Sequence, residues 1–156
     1  MIELKIFSLK DTENFANLLA KVIIKNMVIS FVGDLGAGKT TIIRNILKNM
    51  GISGSIKSPT FTIVEPYYVN DINIYHFDLY RFDDESSWYD LGFDDYFINN
   101  YLCFIEWAEK AKRAIPKIDI TIQIIPNNEY RKIILLPETK WGIQCLKNLA
   151  KIVGNF

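Results

Sequence analysis

Cysteine and histidine are scarce in this chain: Cys103 and Cys145 stand far apart among apolar neighbours, and His76 is the single histidine. That inventory indicates neither a Cys/His zinc site nor a disulfide framework, and both thiols are expected to be buried. An excess of either charge is also missing, since Lys+Arg and Asp+Glu both number 18. No overall positive field draws the protein to nucleic acid or to an anionic membrane, so any RNA in its function is expected to be held by another protein. No apolar run approaches the roughly 20 residues of a spanning helix. The start, Met1-Ile2-Glu3-Leu4-Lys5, lacks the basic-then-apolar pattern of a secretory signal, and a cytoplasmic protein is expected.

At 156 residues and 49% hydrophobic content, the chain has the size and composition of a single domain, residues 1–156, with room for a sheet and covering helices. Strands are expected at Glu3 to Leu9, Val28 to Val32 and Tyr101 to Ile105, the last a compact apolar run suited to a sheet centre buried on both faces. Hairpins are expected from Phe61 to Val69 with Ile72 to Phe77, and from the alternating Ile118, Ile120, Ile122 and Ile124 with Lys132 to Leu136. Helical spacing predicts one helix after Asp11 as N-cap, carrying Phe15, Leu18, Leu19, Val22 and Ile23, and another over Thr41 to Met50 with Gly51 as its stop. A short helix over Trp107 to Ala114, before Pro116, and a long one over Thr139 to Val153 complete the set. The acidic, aromatic stretch Asp83 to Asp95 reads as short helices or loops covering one edge. The fold class is therefore α/β, a P-loop NTPase-like mixed sheet of about seven strands flanked by helices.

Gly33-Asp34-Leu35-Gly36-Ala37-Gly38-Lys39-Thr40 matches G-x-x-x-x-G-K-[ST] at every fixed position, between an apolar strand and a helix. Glycines let the backbone curl so that successive N–H groups face phosphate oxygens. Lys39 brings a point charge to the β and γ phosphates, Thr40 offers a hydroxyl to Mg²⁺, and Thr41 opens a helix whose positive end lies under the phosphates. The order of strand, loop and helix marks a nucleotide-binding chain.

Three further segments have the chemistry to complete such a site. Leu102 to Ile105 ends in Glu106, a strand-tip carboxylate placed as P-loop enzymes place the group that holds Mg²⁺ or its water. Asp78 closes the run Ile74-Tyr75-His76-Phe77. It either orients water or metal near the γ-phosphate, or caps a turn with Arg81 as its ion partner. Ser58-Pro59-Thr60-Phe61 is a short rigid entry to a strand in which Thr60 offers a hydroxyl, as a γ-phosphate switch or as a plain loop. Trp107 is placed to stack on a base or a partner, or to pack in the core. His76 reads as a packed strand residue.

GDLGAGKTT, SPTF, YHFDLYR and FIEWAEK, in this order and within so short a chain, resemble the TsaE (formerly YjeE) family of bacterial ATPases over nearly the whole length. The resemblance implies a part in making N6-threonylcarbamoyladenosine (t6A) at position 37 of tRNAs that read codons beginning with A, with ATP and Mg²⁺ as cofactors and TsaB and TsaD as partners. It implies phosphate and Mg²⁺ ligation by Lys39 and Thr40, a strand-end acid at Glu106, a hydrolytic need for Asp78, a switch contact at Thr60 and an aromatic near the nucleotide at Trp107. Two other uses of the loop stay in view. A small-molecule kinase adds an arginine-bearing lid, whereas Arg44, Arg81, Arg113 and Arg131 are scattered along this chain. A non-catalytic module would use the nucleotide only to gate a binding surface. A GTP switch is disfavoured by the absence of N-K-x-D.

Overall fold

The computed structural model describes residues 1–83, 85–111 and 113–153. Asp84, Lys112 and residues 154–156 lie outside them, Asp84 within the stretch expected as short helices or loops and Lys112 within the expected short helix over Trp107 to Ala114. Seven strands form one mixed sheet: β1 (Ile2–Ile6), β2 (Met27–Val32), β3 (Val64–Val69), β4 (Ile72–Asp78), β5 (Tyr101–Glu106), β6 (Ile120–Pro126) and β7 (Arg131–Pro137). Their spatial order is β1-β7-β6-β2-β5-β4-β3. The centre is parallel, with β2 between β5 and β6 and β4 outside β5. The flanks are antiparallel through β1–β7, β6–β7 and β3–β4. Every residue of β5 is buried, as a central parallel strand requires.

Helices α1 (Leu9–Ala20), α2 (Lys39–Asn49) and α4 (Lys140–Val153) share one face, where Phe15, Leu19, Ile42, Ile46, Cys145 and Leu149 meet Ile29, Phe31, Phe104, Ile122 and Ile133. Helix α2 ends as a Schellman motif, with Gly51 at φ +102° and the amides of Gly51 and Ile52 on the carbonyls of Lys48 and Leu47. Gly142 lets α4 lie against β6: a Cβ there would meet the Asp119 carbonyl oxygen, so no larger residue fits without moving the backbone. None of the described helices is long and apolar enough to cross a membrane.

Several expected boundaries shift for local reasons. The first strand stops at Ile6, because Ser8 is the N-cap of α1: its hydroxyl accepts from the Asp11 amide while the Asp11 carboxylate accepts from the Phe7 amide. Asp11 thus sits inside the first turn. Helix α1 ends at Ala20, although Val22 and Ile23 are still buried. The first hairpin begins at Val64 and turns at Asn70-Asp71, both with left-handed φ. Residues 61–63 do not extend it, since Ile63 has φ +66° and donates its amide to the Pro59 carbonyl.

The aromatic segment covers a face of the sheet, not an edge. α3 (Ser86–Asp90) and the 3-10 turn Phe93–Phe97 lay Trp88, Phe93 and Phe97 over Phe77, with ring centroids 5.7, 5.4 and 6.2 Å from it. This second cluster, on the face opposite the long helices, also takes in Tyr101, Cys103 and Ile105. After Trp107 the chain forms only the 3-10 turn Ala108–Ala111 where a short helix was expected. Both thiols are buried, and burial pushes Cys145 up to about 11 and Cys103 higher still, so neither is a nucleophile at neutral pH.

Candidate nucleotide site

At the C-terminal ends of the parallel strands, β2 runs out at Val32 and the chain curls through Gly33 to Gly38 into the first turn of α2. Gly36 and Gly38 have φ of +80° and +106°, open to glycine and strained for other residues. Gly33 is required by contact, since a Cβ there would come 2.6 Å from the Ile124 carbonyl oxygen on the neighbouring strand. The Lys39 amine reaches back over the loop and donates to the carbonyls of Gly33 at 2.6 Å and Asp34 at 2.9 Å. It also lies 4.1 Å from the centre of the Trp107 ring, within cation–π range.

Parallel pairing does the rest of the assembly. β4 and β5 lie in register with Asp78 opposite Glu106, so two carboxylates end adjacent strands at the level of the loop. Glu106, only 3% exposed, accepts the Thr40 hydroxyl at 2.7 Å on Oε1. Asp78 accepts the Tyr80 amide at 3.0 Å on one oxygen and the Thr60 hydroxyl at 3.4 Å on the other. Thr60 is in turn 2.8 Å from the Ser58 hydroxyl. Asp78 therefore caps its turn and also faces the cleft. No ion pair joins it to Arg81 among the described residues; the Arg81 guanidinium instead lies 4.5 Å from the Phe61 ring.

These groups line one cleft of 430 Å³, whose walls include Gly36, Lys39, Thr40, Thr60, Asp78 and Glu106. Leu35, Gly38, Thr41 and Trp107 line it too, whereas Gly33, Asp34 and Ala37 do not. Thr40 and Glu106 offer hard oxygen donors side by side. They suit Mg²⁺, which takes one or two protein oxygens and completes its shell with phosphate and water. Among the described residues no three His, Cys, Asp or Glu side chains gather into a stand-alone metal cage.

Two features of the cleft lie outside the site candidates named from the sequence. His76 is fully buried behind the cleft with Nε2 2.8 Å from Glu106 Oε1. Its position two residues before Asp78, on the same face of β4, is the signal that was there to read. The arginines scattered along the chain are less scattered in space. Arg81 lines the cleft, and the Arg131 guanidinium comes within 3.6 Å of where a Cβ on Gly38 would lie, brought there by the β6–β7 hairpin.

Burial pushes the Lys39 amine below its ordinary 10.5, and the nearby charges of Glu106 and Asp78 resist that only in part. The charged amine is the form that attracts phosphate, and it is lost as pH rises through a lowered pKa. Nucleotide affinity should therefore begin to fall at a more acidic pH than an ordinary lysine would impose. Calorimetric titrations across the alkaline range check this, and an affinity flat to above pH 10.5 would contradict it.

A parallel-centred sheet, a phosphate loop between β2 and α2, and a carboxylate ending the adjacent strand define a P-loop NTPase-like α/β protein. The family model described as threonylcarbamoyl adenosine biosynthesis protein TsaE matches residues 6–134. The chain is 38% identical over 148 residues to the tRNA threonylcarbamoyladenosine biosynthesis protein TsaE of Haemophilus influenzae, covering 94% of this chain and 91% of that one. It is also 38% identical to the Bacillus subtilis protein of the same name, over 74% of this chain and 72% of that one. The crystal structure of Bacillus subtilis YdiB superposes with a TM-score of 0.83 at 26% identity, covering 97% of this chain and 95% of the other. The chain belongs to the TsaE family of threonylcarbamoyladenosine biosynthesis proteins.

Proposed function

We propose that this protein is a Mg²⁺-dependent ATP hydrolase that binds a TsaB–TsaD pair in the cytoplasm and supports repeated turnover in the t6A37 modification of tRNA. The observation that carries the reading is the convergence of Lys39, Thr40, Glu106 and Asp78 on one cleft beneath a phosphate loop. Lys39 exchanges its loop carbonyls for phosphate oxygens, and the loop amides hold the rest of the phosphate chain. Thr40 and Glu106 would hold Mg²⁺, which would supply charge neutralisation at the phosphates. Asp78, with lone pairs left on both oxygens, orients the attacking water, and Thr60 couples the Ser58 to Phe61 loop to that carboxylate.

The balanced charge of the chain supports the partner part of the proposal: 18 cations against 18 anions leave no field for holding tRNA alone. The isolated protein should be a slow ATPase, and its phosphate release should rise when the TsaB–TsaD pair is added, through ordering of the Thr60 loop or closure over the nucleotide. Phosphate release measured with and without the pair tests this. An unchanged rate alongside demonstrated binding would favour the nucleotide-gated module, and transfer of the γ-phosphate to an acceptor would favour the kinase.

A further inference from the structure

We infer that His76 is a positioning residue for Glu106, fixing the carboxylate in the orientation that receives a divalent cation at the phosphate loop. The inference rests on the Mg²⁺–nucleotide reading of the cleft. Three observations carry it.

First, His76 has no packing reason to be a histidine. It is 0% exposed on β4 beside Phe104 of β5, and Nδ1 is buried with no hydrogen-bond partner among the described residues. A polar ring with an unpaired nitrogen is costly in a core, where leucine would fill the space without that cost. Second, the nitrogen that is paired points at one atom, Glu106 Oε1, at 2.8 Å. Donation from Nε2 to that carboxylate oxygen is the arrangement the hydrogen-bond network assigns, with Nδ1 the unpaired nitrogen among the described residues.

Third, among the described residues both donors to the Glu106 side chain fall on the same oxygen. Thr40 Oγ1 donates at 2.7 Å and His76 at 2.8 Å, both to Oε1, so Oε2 is the oxygen left for a ligand in the cleft. Thr40 belongs to the phosphate loop and would share its hydroxyl with the cation. His76 is thus the anchor of Glu106 that does not itself touch the ligand. Hydrogen bonds of this kind to a metal-binding carboxylate set its rotamer, and their loss typically costs about 10- to 100-fold in metal affinity.

The test is ATP affinity by calorimetry across a Mg²⁺ series, including chelator alone, for wild type, His76→Leu and His76→Gln, with thermal melts of each. The leucine protein should need roughly 10-fold or more Mg²⁺ for half-maximal tightening of ATP binding while keeping wild-type affinity in chelator. The glutamine, able to bring an amide N–H near the Nε2 position, should recover most of the difference. If the leucine protein does not fold, His76→Asn, polar but too short to reach, takes its place with the same expectation. A folded variant with the wild-type Mg²⁺ requirement, or glutamine and leucine shifted alike, would overturn the inference while leaving the nucleotide site standing. Wild-type binding indifferent to Mg²⁺ would remove the site reading itself, and the inference with it.

Discussion

Lys39→Ala is expected to weaken ATP binding on the order of 100-fold or more, equivalent to roughly 3 kcal/mol, in a protein that still folds. Two contributions make the effect large. The β and γ phosphates lose their point charge and its charge-assisted hydrogen bonds. The loop also loses the amine that ties the carbonyls of Gly33 and Asp34 at 2.6 and 2.9 Å, so its curl is less well prepared for an anion. The hydrophobic contacts of α2 through Ile42, Ile43, Ile46 and Leu47 are untouched, which is why folding should survive. Calorimetry with a melting curve on the same sample is sufficient. Unchanged affinity in a folded Lys39→Ala protein would remove the basis of the nucleotide assignment.

Glu106→Gln should separate binding from chemistry. The amide carbonyl can still accept from Thr40 and His76, so the local structure is kept, but the negative charge proposed to face Mg²⁺ is gone. Turnover is expected to fall on the order of 100-fold, with a much smaller loss in ATP affinity, because charge at the metal matters most as charge redistributes in phosphoryl transfer. Asp78→Asn should act in the same direction through the water, with added disturbance at the Tyr80 turn that its Oδ1 caps. Parallel binding and phosphate-release assays decide both cases. Wild-type turnover in Glu106→Gln would return that carboxylate to an ordinary strand end, and the same result for Asp78→Asn would leave it a turn cap.

The parts of this candidate site that the sequence pointed to are those whose chemistry is contiguous. The loop from Gly33 to Thr40 spells its own backbone shape, and Glu106 stands out because four apolar residues precede it. Parallel pairing of β4 and β5 then sets Asp78 beside Glu106, a consequence of register that the segments carry only as equal distances from their strand ends. His76 was hidden because a histidine flanked by Tyr75 and Phe77 satisfies the strand pattern, and its partner lies 30 residues on. Arg131 was hidden because it reaches Gly38 only through the β6–β7 hairpin.

The same division holds for the fold. Long periodic elements such as α2 and α4, and the alternating β6, declare themselves through their spacing. The aromatic cover over Phe77 does not. α3 is five residues long and the following 3-10 turn another five, too short for any period to emerge, and their positions are set by ring packing onto the sheet. Ile63 is a similar case, a β-branched residue in the left-handed region whose conformation depends on its bond to Pro59.

The most direct measurement of the central claim is a reconstituted tRNA modification reaction containing TsaB and TsaD, scored for t6A molecules formed per complex, with this protein as wild type, as Glu106→Gln, or omitted. The account predicts many products per complex with the wild type, and no more than about one with the Glu106→Gln protein or without the chain. Full multiple turnover in its absence, or with a Glu106→Gln protein shown to bind ATP but not hydrolyse it, would contradict the coupling of hydrolysis to modification.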